Sequence, residues 1–199
     1  IGDGQFLVRN HTLSLDPYMR GRMNDAKSYA KPVELGAVMV GGAVGEVAAS
    51  RHPKFKPGDK VVGAFGWQLY AVSDGAGVRV VDPSTPLPAY LGARGMPGVT
   101  AHIGLLDFGA PKAGETVVVS AASGAVGAIV GQIAKIRGCR AVGIAGGPDK
   151  CRYVVEELGF DACVDYKAGR LWEDLSQATP KGIDVYFDKV GGEILDTVL

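Results

Sequence analysis

The sequence predicts two successive folds, an antiparallel β domain over residues 1–92 and a doubly wound α/β domain over residues 93–199. Three observations support this division. Short segments rich in β-branched residues, with no long helical pattern, fill the first half. Strand and helix patterns alternate through the second half. Between the two halves the proline-rich segment DPSTPLPAY ends the β region.

The first half consists of strand-like segments joined by turns. In order they are FLVRN, TLSL, the glycine-interrupted VMVGGAVGEVAAS, KFKPGDKVVGAFG, QLYAVS and VRVVD. In KFKPGDKVVGAFG a Pro-Gly-Asp turn comes directly before the strand. Turns at intervals of about ten residues are typical of a compact β barrel or sandwich.

The second half alternates between the two periodicities. The predicted order is a helix in YLGARGMPGVTAHIGLLDFG, a strand at 116–120, a helix from about 124 to 137, the strand RAVGIA, the helix DKCRYVVEEL, the strand DACVDY, the helix LWEDLSQA, the strand IDVYFDKV and a last helix from 192. Strands that alternate with helices form a parallel sheet covered on both faces.

The composition favours a small-molecule partner. Of the 199 residues 47% are hydrophobic, and 21 basic residues balance 21 acidic ones. This balance gives no electrostatic signal for nucleic acid or a membrane surface. No segment reaches the ~18 apolar residues of a membrane span, and the N-terminal residues lack the pattern of a signal peptide. We therefore expect a cytoplasmic protein.

Potential metal ligands are few. The chain has three cysteines and three histidines: Cys139, Cys151, Cys163, His11, His52 and His102. The cysteines are twelve residues apart and the histidines have no companions at ligand spacing. The sequence therefore predicts no metal site and reduced thiols.

The segment 122–127, ASGAVG, has the spacing of a dinucleotide-binding loop with alanine at the first glycine position. A predicted strand precedes it and a predicted helix follows. Gly124 would let the backbone approach a pyrophosphate, and Gly127 would let the helix pack closely on the strand. The alternative is a tight strand-to-helix turn without a ligand.

The end of the next strand favours NADPH over NADH. An NAD site usually has an acidic residue about twenty residues beyond the loop, where it binds the ribose 2′-hydroxyl. Here Gly146 and Gly147 stand at that place, and Lys150 and Arg152 follow. Asp149 is an alternative acid for NADH, but after Pro148 it fits better as a helix-starting residue.

Four segments in this order resemble one known family: LSLDPYMRGRM, MPGVTAHIGLLD, AGETVVVSAASGAVGAIVGQIAK and GIDVYFDKVGGE. They resemble the zinc-independent medium-chain dehydrogenases/reductases, and within them the NADPH-dependent alkene reductases. The resemblance runs over nearly the whole chain. It implies a GroES-like β-barrel substrate domain followed by a Rossmann domain.

The resemblance also implies site residues. The cofactor-binding residues would be Gly124, Ala125, Val126 and Gly127 at the pyrophosphate, Lys150 and Tyr166 at the 2′-phosphate, and Met96 and Thr100 at the nicotinamide. Tyr18, in DPYMR, would line the substrate pocket as the catalytic hydroxyl. The alternatives are a core position for Met96, a half-buried strand aromatic for Tyr166 and a structural turn for Tyr18.

Two departures from the family stand out. Lys189 occupies a position that is usually asparagine, where it would either bind a phosphate or obstruct the nicotinamide side. The chain also ends at Leu199 after four predicted strands of the α/β sheet, whereas members of the family are longer. Its N-terminal strand region is also shorter than in the family. We therefore expect a fragment whose Rossmann domain is incomplete at the C-terminus.

The function implied by the resemblance is reduction of the carbon–carbon double bond of an α,β-unsaturated aldehyde or ketone, with hydride from NADPH. The enolate oxygen would be stabilised by hydrogen bonds, so no metal is needed. Alternatives are an NADPH:quinone oxidoreductase of the same superfamily and a non-catalytic NADP-binding module. The resemblance implies a homodimer for the full-length protein.

Overall fold

The computed structural model describes all residues, Ile1–Leu199. The chain folds into two units, Ile1–Gly95 and Met96–Leu199. The sequence predicted the division between residues 92 and 93, and which residues belong to each functional domain stays a prediction. No helix has the length and apolar composition to cross a membrane.

The first unit is an antiparallel sheet of five strands in the order β4-β1-β2-β3-β5. The strands are β1 (Phe6–Leu13), β2 (Ala43–Ser50), β3 (Lys60–Gly63), β4 (Tyr70–Ser73) and β5 (Arg79–Val80). The predicted segments FLVRN and TLSL form the single strand β1, because shifts of register at two points let the strand continue along β2. No pairing joins β4 to β5, so these are the two edge strands of an open sheet.

The first unit also holds one short α-helix, α1 (Tyr18–Arg22), and a 3₁₀ helix at Leu87–Tyr90. Its larger buried cluster contains Phe6, whose ring stacks on that of Phe55 with 4.4 Å between centroids. A second, smaller cluster contains Val44, Val62, Val81 and Tyr90. β1 and β2 approach so closely that a Cβ atom added at Gly45 would lie 2.3 Å from the carbonyl oxygen of Arg9.

The second unit follows the predicted alternation. Its elements are α2 (Met96–His102), a π-helix (Ile103–Gly109), β6 (Thr116–Val119), α3 (Gly127–Ile136), β7 (Arg140–Ala145), α4 (Pro148–Glu156), β8 (Ala162–Asp165), a 3₁₀ helix (Tyr166–Ala168), α5 (Leu171–Ala178), β9 (Val185–Phe187) and α6 (Gly192–Val198). The strands form a parallel sheet in the order β8-β7-β6-β9.

Both faces of this sheet are covered. Val117 and Val119 of β6 pack in one cluster with Val130 of α3, whereas Val118 belongs to the cluster on the other face with Leu175 of α5. The predicted doubly wound fold is thereby confirmed. The chain leaves β6 toward β7 on one side and later returns as β9 on the other. Ligands of such sheets bind at the carboxyl ends of the strands, beside this reversal of order.

Two details differ from the predicted elements. Helix α3 begins at Gly127 and not near Gly124, because residues 120–126 form a loop in which the Gly124 amide bonds the Ala121 carbonyl oxygen at 2.9 Å. The helical segment after residue 96 changes from α to π geometry at Ile103. It ends at Ala110, whose φ of 44° is left-handed.

Candidate functional site

A cavity of about 300 Å³ opens at the carboxyl ends of β6 and β7 in the second unit. Three residues predicted to bind the cofactor line it: Gly124, Lys150 and Tyr166. Ser123 and Gly146 also line it. The fold therefore brings the loop after β6, the start of α4 and the end of β8 to one cavity, although they are far apart in sequence.

The loop after β6 presents free backbone donors. The amides of Ala125, Val126 and Gly127 bond no acceptor in the protein, since they precede the first hydrogen-bonded turn of α3. Ala121, at the start of the loop, has a left-handed φ of 48°. Three unpaired amides at a helix N-terminus provide donors for an anionic group such as a phosphate.

Two glycines of this loop have different roles. A Cβ atom added at Gly127 would lie 2.4 Å from the carbonyl oxygen of Ala121, so only glycine permits this approach of helix and loop. At Gly124 the added atom would lie 3.1 Å from the same oxygen. The amide of Gly124 is already bonded within the loop, so Gly124 contributes space at the cavity and not a donor.

Tyr166 covers the end of β7. A Cβ atom added at Gly146 would lie 2.8 Å from Cε1 and 3.0 Å from the hydroxyl oxygen of Tyr166. Tyr166 follows β8 in the 3₁₀ helix and is 42% exposed, so it is not a half-buried strand aromatic. Its ring occupies the space that a side chain at position 146 would take.

The charged residues at the start of α4 differ in whether they form an ion pair. Asp149 lies in the first turn and pairs with Arg152 at 3.1 Å, which accords with its interpretation as a helix-starting residue. Lys150 lines the cavity and forms no ion pair. Of the two cations named from the sequence, only Lys150 is therefore free at the cavity.

Asp165 is a site residue that sequence reasoning missed. Its Oδ1 accepts hydrogen bonds from the amide of Gly147 at 2.7 Å and from the amide of Lys167 at 3.0 Å. It thereby fixes the glycine turn after β7 to the 3₁₀ helix after β8. An aspartate at the end of a strand, two residues before the amide it caps, is the signal that would have found it.

A hydrogen-bonded group of residues that sequence reasoning also missed lies at the carboxyl ends of β6 and β9. The hydroxyl of Ser120 donates to Oδ1 of Asp188 at 3.0 Å and accepts from the amide of Lys189 at 2.7 Å. Desolvation would raise the pKa of Asp188. Hydrogen bonds from the amides of Val190 and Gly191, with those from side chains, outweigh it and lower the pKa to about 2.

Tyr186 belongs to the same group of residues. Its hydroxyl donates to Asp188 at 2.9 Å, and burial, with the neighbouring carboxylate, raises the pKa of Tyr186 to about 12. Lys189 takes part through its backbone amide, and burial lowers the pKa of its side chain. Lys189 does not line the cavity, whereas the next residue, Val190, does.

Met96 and Thr100 are not among the residues that line this cavity. Met96 and Thr100 are exposed at positions i and i+4 of α2, and thus on one face of that helix. Met96 is 54% exposed, so it is not a core residue of the second unit.

Tyr18 is the first residue of α1 in the first unit and is partly buried. Burial, with the charge of Asp16, raises the pKa of its hydroxyl, so this group is protonated and can donate a hydrogen bond at neutral pH.

Two family models match the chain. Residues 1–81 match the N-terminal domain of oxidoreductases, and residues 125–199 match a family described as zinc-binding dehydrogenase. In this chain no three His, Cys, Asp or Glu side chains are grouped so that they would hold a metal ion.

Curated relatives and solved structures share the whole length of this chain. An NADPH-dependent curcumin reductase of Escherichia coli strain K12 is 54% identical over all of the chain and 58% of its own length. An NADP(+)-dependent 2-alkenal reductase of Nicotiana tabacum is 44% identical over all of the chain and 59% of its own length. The crystal structure of CurA from Vibrio vulnificus in complex with NADPH is 52% identical and superposes with a TM-score of 0.93, covering 99% of this chain and 59% of that one. The chain thus spans about three fifths of the length of the proteins that it matches.

Proposed function

Because the chain belongs to the medium-chain dehydrogenase/reductase family, we propose that it is part of an NADPH-dependent enzyme that reduces the carbon–carbon double bond of α,β-unsaturated aldehydes or ketones. The relatives named for curcumin and 2-alkenal reduction support this substrate class. The observation that carries the proposal is the cavity that brings Gly124, Lys150 and Tyr166 together.

The residues of the cavity fit a dinucleotide that carries a 2′-phosphate. The free amides of Ala125, Val126 and Gly127 provide donors for the pyrophosphate. The ring of Tyr166 lies over Gly146, where an NAD site would have a side chain that ends in a carboxylate. Lys150, without an ion pair, supplies positive charge beside that position.

When bound, NADPH would supply the hydride that reaches the β-carbon of the substrate, and a proton from water or a tyrosine would reach the α-carbon. Met96 and Thr100 are proposed to bind the nicotinamide end, since their side chains are exposed on one face of α2. Tyr18 is proposed to donate a hydrogen bond to the carbonyl oxygen of the substrate. Its protonated hydroxyl would stabilise the negative charge that develops on this oxygen.

Two alternative functions predict different experimental results. A quinone oxidoreductase would use the same cofactor residues but reduce a quinone in preference to an enone. A non-catalytic NADP-binding module would bind the dinucleotide without turnover. A dimeric state and a cytoplasmic location, expected from the resemblance and from the sequence, stay predictions.

The proposal is tested by titrating the purified protein with NADPH and, separately, with NADH, and then adding a simple enone or a quinone while nicotinamide absorbance is followed. We expect tighter binding of NADPH and loss of absorbance with the enone. Faster loss with the quinone favours the first alternative, and binding without turnover favours the second. A folded protein that binds neither dinucleotide would show that the loop is a turn only.

A further inference from the structure

The side chain of Lys167 lies over the same glycine as the ring of Tyr166. A Cβ atom added at Gly146 would be 3.1 Å from Cε of Lys167. Gly146 lines the cavity, and Lys150 lines it as well. The aliphatic stem of Lys167 therefore crosses the end of β7 at the border of the cavity, although Lys167 itself is not a lining residue.

The backbone fixes where this stem begins. Lys167 is the second residue of the 3₁₀ helix, and its amide donates to Oδ1 of Asp165 at 3.0 Å. The same oxygen holds the amide of Gly147, which precedes α4. Because one carboxylate ties both segments, the positions of Lys167 and Lys150 are coupled through Asp165.

The positive charges of these two lysines are not compensated by an ion pair. Neither Lys150 nor Lys167 takes part in any of the five salt bridges of the protein. The acidic groups nearby are engaged elsewhere: Asp149 pairs with Arg152, and Asp165 accepts from two amides. Two unpaired ammonium groups around a position without a side chain suit a dianionic phosphate ester.

We propose that Lys167 is a second cationic ligand for the 2′-phosphate and that, with Lys150, it determines the preference of this protein for NADPH over NADH. The inference rests on the proposed function, because it assumes a dinucleotide in the cavity. Lys167 and Lys150 would approach the phosphate from different segments, one after β8 and the other in α4. The hydroxyl of Tyr166 would be a further hydrogen-bond donor to the same phosphate.

A merely structural role for Lys167 makes a different prediction. Its Nζ is 6.0 Å from the centroid of the Tyr166 ring, at the outer limit of a cation–π contact. If Lys167 only supported that ring, its loss would affect both dinucleotides, because both carry the same adenosine and differ only in the 2′-phosphate. Only a direct contact with the phosphate separates NADPH from NADH.

The test compares Lys167→Gln with Lys181→Gln, a matched removal of one exposed positive charge just before the amino end of β9, at the opposite edge of the sheet. Dissociation constants are measured for NADPH, NADH and adenosine 2′,5′-bisphosphate. For Lys167→Gln we expect NADPH and the bisphosphate to bind roughly 10- to 150-fold more weakly, as for loss of one charged hydrogen bond. NADH binding should stay unchanged, and Lys167→Arg should restore most of the NADPH affinity.

The outcomes separate the two proposals. If the wild-type protein prefers NADPH and Lys167→Gln keeps that preference, or weakens both dinucleotides equally, the role of Lys167 is overturned and the proposed function stands. If the wild-type protein binds neither dinucleotide, both proposals fail. A smaller dependence of NADPH affinity on salt in Lys167→Gln, with no such change in Lys181→Gln, supports the contact.

Discussion

The carboxylate of Asp165 joins the ends of two neighbouring parallel strands, because its Oδ1 accepts the amide of Gly147 at 2.7 Å across the gap between β7 and β8. The glycine turn has a positive φ of 99° at Gly147, a conformation that a side chain rarely adopts. The carboxylate thus holds an open, side-chain-free turn in place beside the cavity.

Replacing this carboxylate should loosen the second unit. Asp165→Ala removes the acceptor of two amides, and we expect it to lower the free energy of unfolding by about 1–2 kcal/mol. Asp165→Asn keeps an acceptor oxygen at the position of Oδ1 and loses only the negative charge, so it should cost less than Asp165→Ala. Urea unfolding of the three proteins measures the difference. Equal stability of Asp165→Ala and wild type would refute the role of this contact.

Lys150→Ala should reduce the preference for NADPH. Since Lys150 lines the cavity without an ion pair, we expect NADPH to bind about tenfold more weakly and NADH to be unaffected. Arg152→Ala is the control, because it removes a cation from the same helix that is already paired with Asp149. Isothermal titration with each dinucleotide checks the prediction, which fails if Arg152→Ala has the larger effect.

The two loop glycines should respond differently to alanine. Gly127→Ala forces a Cβ atom against the Ala121 carbonyl oxygen and should lower stability by about 1–3 kcal/mol. Gly124→Ala meets the same oxygen at 3.1 Å, so its effect on stability should stay below about 1 kcal/mol while its methyl group reduces dinucleotide affinity. Denaturant unfolding and NADPH titration of both variants are the measurements. The reverse order of stabilities would contradict the packing described above.

Tyr18→Phe should impair turnover without changing the affinity for NADPH. If the hydroxyl stabilises the developing oxyanion, we expect kcat for enone reduction to fall roughly 100-fold and the Kd for NADPH to stay the same. Tyr29→Phe is the control, since Tyr29 lies near the same arginine, Arg22, and is 82% exposed. Steady-state kinetics with an enone decide the point. Unchanged kcat in Tyr18→Phe would leave Tyr18 a structural residue.

The hydrogen-bonded carboxylate of Asp188 should make stability depend on pH in the acid range. Its pKa is lowered in the folded protein to about 2 from an ordinary value of 3.8, so its stabilising effect is complete above about pH 4 and is lost as the pH falls to about 2. Because the residue is exposed, we expect only about 1 kcal/mol at neutral pH.

The measurement is urea unfolding of wild type and Asp188→Asn between about pH 2 and pH 7. The difference in unfolding free energy should be largest at neutral pH and decrease on acidification. Asp196→Asn, at an exposed position in α6 whose side chain forms no hydrogen bond, should change stability by less than about 0.5 kcal/mol. A difference for Asp188→Asn that grows on acidification would mean that the sign is wrong.

Local patterns in the sequence were sufficient to predict the fold class and the glycine-containing loop after β6, whose role in binding the cofactor stays a prediction. Alternation of strand and helix patterns, each repeated over many residues, predicts a parallel sheet because the periods of buried residues differ for the two elements. The spacing of Gly124 and Gly127 after a β-branched strand indicated this loop, because both glycines allow close backbone contacts with residues nearby in sequence. The segment LSLDPYMRGRM and the three others that carry the resemblance supplied the remaining predicted residues, and the roles of those residues stay predictions.

Which residues share the cavity, and which charges are free there, depends on the pairing of distant strands. Lys150 and Lys167 are seventeen positions apart in the numbering, and only the parallel pairing of β7 with β8 brings their segments to one edge. Likewise Ser120 and Asp188 meet because β6 pairs with β9. Such contacts depend on strand order and register, which are determined by long-range packing. A local sequence pattern therefore does not predict them.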